Sequence, residues 1–104
     1  MPPEQPPRIH VDFNELIGPG LVLLSKTDVV RCDDGSAVEL QPGLPVIAFE
    51  YNEYADGEIE TLYVQGLAER NDPAVNGAWT RNARWCCRFE GGVQSVEGQG
   101  PWQR

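Results

Sequence analysis

Apolar positions along this chain never settle into the 3.6-residue spacing of a helix. They alternate with a period of two over short stretches, and turn residues cut each stretch off. In PVIAFEY at 45–51, Ile47, Phe49 and Tyr51 fall on one face and Val46, Ala48 and Glu50 on the other. In ARWCCRF at 83–89, Ala83, Trp85, Cys87 and Phe89 alternate with Arg84, Cys86 and Arg88. This predicts a half-buried strand with Trp85, Cys87 and Phe89 inward and Cys86 on the outer face. LVLLS at 21–25 and VVRC at 29–32 are rich in β-formers, and AVEL at 37–40 sends Val38 and Leu40 one way and Ala37 and Glu39 the other. VDFNELIG at 11–18 fits a strand end or one short helical turn. Residues 58–70 read as a long strand, bent or bulged at Gly66, and VQSVEG adds a short final strand.

Turn chemistry falls between these stretches. Gly18-Pro19-Gly20, Asp33-Asp34-Gly35, Gln41-Pro42-Gly43 and Asp56-Gly57 each mark a reversal, and the last predicts a hairpin from Phe49 to Val64. NDPAVNG at 71–77 reads as a long loop, followed by an irregular GAWTRN. There is no internal repeat and no long helix. The expected fold class is therefore all-β, with about five to seven short strands in a small single-domain barrel or roll. An SH3-like barrel is the first choice and an OB-like barrel the second. Residues 1–8 are expected to form a Pro-rich disordered leader, 9–97 the β domain and 98–104 a mobile end.

Composition agrees with this picture. Among 104 residues, 11 Gly and 9 Pro break the chain into short segments, while a 40% hydrophobic share suffices for one modest core. Charge adds a direction. The net charge is −8, and residues 28–60 hold nine acids against the single Arg31. Residues 70–90 instead carry Arg70, Arg81, Arg84 and Arg88 against Asp72 and Glu90. The acidic middle repels a phosphate backbone and attracts cationic partners, which disfavours nucleic acid. The longest aliphatic run, LVLL, is far short of a membrane span, so no membrane role is expected. The N-terminus lacks the features of a signal peptide. With three cysteines, an odd number, reduced thiols in the cytoplasm are expected.

Candidate chemistry is sparse. Neighbouring residues of a strand point to opposite faces, so Cys86 and Cys87 are poorly placed to share a metal, and Cys32 and His10 stand alone; no metal site is expected. No serine or cysteine has a base nearby in the sequence, and neither Gly18-Pro19-Gly20 nor Gly98-Gln99-Gly100 makes a phosphate loop. No catalytic residue and no cofactor are expected. Glu58 and Glu60, about 7 Å apart on one strand face, have a spacing that suits paired acid–base work or a hard cation such as calcium, but a solvated face is the expected reading.

Two surfaces remain. The hairpin FEYNEYADGEIE places Tyr51, Glu53, Tyr54, Asp56 and Glu58 together, and aromatic rings beside carboxylates suit a guanidinium or ammonium group. The alternative is an anion-binding face of Trp79, Arg81, Arg84 and Arg88, countered by pairing of those arginines with the protein's own acids. The sequence points to a binding or accessory module whose partner is a protein or peptide with a basic surface. A small enzyme using paired carboxylates and an anion or nucleic-acid binder are the other readings.

Overall fold

In the computed structural model, which describes residues 6–98, alternation becomes pairing most directly in the hairpin of β6 (Pro45–Glu53) and β7 (Ile59–Arg70). Its register runs unbroken from Pro45 opposite Leu67 to Glu53 opposite Ile59. The turn is closed by Tyr54 N–H donating to Glu58 O at 2.8 Å and Gly57 N–H donating to Tyr54 O at 2.9 Å. Gly57 sits at φ +89°, where a side chain would be strained.

The other elements assemble around this hairpin. In chain order they are β1 (Arg8–His10), a 3-10 turn (Phe13–Glu15), β2 (Leu16–Gly18), β3 (Leu21–Ser25), β4 (Val29–Arg31) and β5 (Ala37–Glu39). After β7 come α1 (Pro73–Asn76), a second 3-10 turn (Ala78–Thr80), β8 (Trp85–Phe89) and β9 (Gln94–Glu97). The segment expected as a loop at 71–77 thus contains one helical turn, with Pro73 at its start and Asp72 Oδ1 accepting from Ala74 N–H at 3.1 Å. Strands hold 51% of the described residues, which makes this a small, mostly β domain. None of the described helices is long and apolar enough to cross a membrane.

The main sheet runs β1-β6-β7-β8-β3-β2, and β9 also pairs with β7. β1 lies parallel to β6, and the other pairs are antiparallel. β4 and β5 form a separate hairpin around Asp33–Ser36. A flat sheet would hold β1 and β3 about 19 Å apart, at roughly 4.8 Å per strand. Yet His10 and Val11, at the end of β1, line the same cleft as Leu23 and Leu24 of β3. The sheet therefore curls.

Gly66 marks a change of partner rather than a bulge. Pairing with β6 passes through it without a shift, while on the other edge of β7 the partner changes from β9 at Tyr63 to β8 at Gly66. Glycine is needed because a Cβ here would lie 2.3 Å from Arg88 O and 2.7 Å from Cys87 Sγ.

The core joins Ile9, Val22, Leu24, Val46, Ala48, Val64, Trp85, Cys87 and Phe89, with Cys32 and Leu40 from the β4–β5 hairpin segment covering them. β8 needs one correction. Cys86 does face away from Cys87, but it is fully buried in a second apolar cluster with Leu21 and Leu23. Ala83 packs there too, rather than with Trp85, because the strand begins only at Trp85.

The expected leader and tail lie partly outside the described residues. Within them, Pro7 O accepts from Ile47 N–H at 2.9 Å and Arg8 belongs to β1. Gly98 N–H donates to Ile59 O at 2.7 Å, so the paired region extends past both expected boundaries.

Candidate functional site

The period of two that builds β6 also divides its aromatic and acidic side chains. Tyr51 and Glu53 lie on the face opposite Ala48 and the main core. There Phe49 and Tyr51 contact each other with ring centroids 5.2 Å apart, and His10 meets Phe49 edge-on at 5.4 Å. Phe49 is buried, while Tyr51 is 39% exposed.

Tyr54 turns to the other face, where its hydroxyl donates to Glu60 Oε1. Ser95 of β9 donates to Oε2 of the same carboxylate. These bonds, Ser95 first, hold the Glu60 carboxyl below its usual range, and Glu60 in turn pushes the Tyr54 phenol up. The five expected hairpin residues are therefore neighbours on one projecting ribbon but not a single pocket.

The candidate carboxylate pair does not form as drawn. Glu58 lies in the turn rather than on the strand, and its N–H donates to Asp56 Oδ1 at 3.0 Å. Glu60 is displaced toward the more acidic side, opposite to what a general acid near neutral pH requires.

The acids at the tip of the ribbon stand without cations among the described residues. Glu53, Asp56 and Glu58 are exposed, and among the described residues none of them forms an ion pair. No Lys or Arg stands between Arg31 and Arg70 in the sequence to provide one locally. Glu97 of β9 stands directly across from Glu60 and adds to the same end of the sheet.

Most arginines, in contrast, are engaged. Arg88 forms a two-pronged bond to Glu69, at 2.7 and 2.9 Å, which raises its pKa. Arg84 reaches Asp28 at 3.3 Å, Arg8 reaches Asp33 at 2.6 Å, and Arg70 lies 4.9 Å from the Trp85 ring centroid. Arg84 and Arg88 are thus directed to acids on different elements, and Arg81 is exposed in the loop before β8. Trp79, 58% exposed, forms one wall of the cleft that also holds His10. Of the expected anion-binding face, Arg84 and Arg88 are already paired with the protein's own carboxylates, while Trp79 and Arg81 are exposed.

All three cysteines are free and buried. Burial pushes the Cys86 thiol up to about 11 and the Cys87 thiol up to about 12, and raises Cys32 as well. Among the described residues no group of three or more His, Cys, Asp or Glu is arranged to hold a metal ion.

The cleft was invisible in the sequence. Its volume is about 340 Å3, and its lining comes from the β1 end, the first 3-10 turn, β3 and the second 3-10 turn. These segments are spread over residues 10–83, and no motif links them. No family model, curated protein or solved structure matches this chain.

Proposed function

We propose that this protein is a small acidic binding module whose β6–β7 ribbon meets a protein or peptide with a basic surface. One observation carries the reading. The ribbon's acids at 53, 56 and 58 have no cationic partner among the described residues, whereas Arg8, Arg84 and Arg88 are already paired with carboxylates. An incoming Lys or Arg finds free carboxylates beside the exposed rings of Tyr51 and Tyr54, and complementary charge speeds association. The second apolar cluster, the engaged arginines and the bound Glu60 carboxylate leave the ribbon as the surface best suited to this chemistry.

The finer architecture belongs to the same proposal. A rolled sheet, SH3-like before OB-like, is supported by the curl that brings β1 toward β3. A cytoplasmic setting is supported by three buried free thiols, which suit a reducing compartment.

The test is affinity capture from native lysate at two ionic strengths, read by mass spectrometry. The control protein carries Tyr51→Ala, Glu53→Lys and Asp56→Lys and is first shown by circular dichroism to be folded. The expected result is a basic partner held by the natural protein, lost by the variant and weakened as salt shortens the screening length from about 8 Å to about 3 Å. A partner held equally by both proteins, with no response to salt, overturns the proposal.

A further inference from the structure

We infer that the cleft between the β1 end, β3 and the second 3-10 turn binds a small zwitterionic molecule with a flat apolar group, of the size of an aromatic amino acid. This site is separate from the acidic ribbon and does not depend on it.

Part of the cleft lining is apolar: Val11, Leu23 and Leu24, all buried, contribute to it, as does Ala83. One wall is the indole of Trp79, a large ring left 58% exposed at the rim. Folding leaves such a ring in water at a cost in hydration that a flat ligand group stacked on it would relieve.

The rim carries both signs of charge. Asp12 and Glu15 stand on the side of the first 3-10 turn, and Lys26 stands just beyond β3. All three are exposed, and among the described residues none forms an ion pair. Asp12 uses Oδ1 to accept from Asn14 N–H at 2.9 Å, which fixes the carboxylate. An ammonium group would pair with the carboxylates and a carboxylate with Lys26. A ligand carrying only one of these charges would leave half of the rim unmatched.

Size narrows the choice. The volume of about 340 Å3 is at the small end of ligand sites. That suits one amino acid and is tight for a nucleotide.

The experiment is a 1H–15N NMR titration of the whole protein with L-phenylalanine. Three analogues each remove one feature: N-acetyl-L-phenylalanine lacks the cation, L-phenylalaninamide lacks the anion, and L-alanine lacks the ring. Saturable shifts of the Trp79 indole and of the Lys26 and Asn82 amides are expected with L-phenylalanine. The two analogues that lack a charge should each bind about tenfold more weakly, the scale of one charge-assisted contact, and L-alanine, which loses the stacking ring, should be weakened as well. Trp79→Ala and Lys26→Glu should each weaken binding similarly, while Glu53→Lys, on the ribbon, should leave it unchanged. Absence of saturable shifts at millimolar L-phenylalanine overturns the inference. So does equal binding of the four compounds, or binding that survives both cleft substitutions.

Discussion

The indole N–H of Trp85 donates to Asp28 Oδ1 at 2.9 Å, across 57 positions of sequence. Trp85 is 1% exposed, so this carboxylate is what satisfies the polar end of the largest buried side chain among the described residues. The other carboxylate oxygen faces Arg84 at 3.3 Å, and Arg70 lies over the same indole ring. One acid thereby ties the segment before β4 to the start of β8.

Substitution at position 28 separates the two contacts. Asp28→Ala leaves the indole donor of Trp85 without its protein acceptor. Asp28→Asn keeps an acceptor and loses the charge, and with it the attraction to Arg84 and Arg70. The urea midpoint should therefore fall clearly for alanine and much less for asparagine. Equal losses would show that the charge, not the hydrogen bond, holds this corner.

Acid should weaken the fold through named carboxylates. Asp28, Asp34 and Glu60 all titrate below their ordinary values, because of hydrogen bonds led by Trp85, Ser36 and Ser95 respectively. A depressed folded pKa means that the unfolded chain takes up protons first. The stabilisation is complete above the ordinary carboxylate range, near pH 4, and is lost as pH falls through the lower folded values. Urea midpoints measured from pH 6 to pH 2 should decline over that window, and Glu60→Gln should flatten part of the decline.

Gly66→Ala should be severe. The new methyl group would clash with the β8 backbone at 2.3 Å and with Cys87 Sγ at 2.7 Å, and a backbone neighbour cannot turn aside. A loss of at least about 2 kcal/mol is expected in chemical denaturation. Gly92 is the control, because nothing lies within 4 Å of its added carbon, and alanine there should change stability by less than about 0.5 kcal/mol.

Asn71 braces the segment that presents Trp79. Its Nδ2 donates to Thr80 O at 2.9 Å and to Ala83 O at 3.0 Å, while its Oδ1 accepts from Asn76 Nδ2 at 2.8 Å. Asn71→Ala should raise amide hydrogen exchange across residues 72–84 and leave the β6–β7 hairpin as protected as before. Uniform loss of protection would mean that the bracing serves the whole fold instead.

The thiols should be silent in the folded protein. With a pKa of about 11, only about one Cys86 in a thousand is thiolate at pH 8, and Cys87 is still less ionised. Neither is exposed to solvent. A thiol reagent at pH 8 should label them only as fast as the protein opens, and should label all the cysteines promptly in denaturant. Rapid labelling of the native protein would contradict this burial.

The linear pattern determined whatever depends on neighbours along the chain. Alternation in VIAFEY and WCCRF gave the strand faces, and Asp-Gly steps at 34–35 and 56–57 gave two hairpin turns, because side-chain direction and turn conformation are local properties. The charge imbalance of the middle segment was equally readable. Tertiary structure alone decided which acids found partners. Asp28, Asp33 and Glu69 meet arginines 56, 25 and 19 positions away, whereas Glu53, Asp56 and Glu58 at the tip of the ribbon meet none among the described residues. It also decided that Cys86, on the outward face of its strand, is buried, because β3 brings Leu21 and Leu23 beside it. The cleft was decided in the same way, since curvature of the sheet brings Trp79, Lys26 and Asp12 together across sequence distances that local spacing cannot encode.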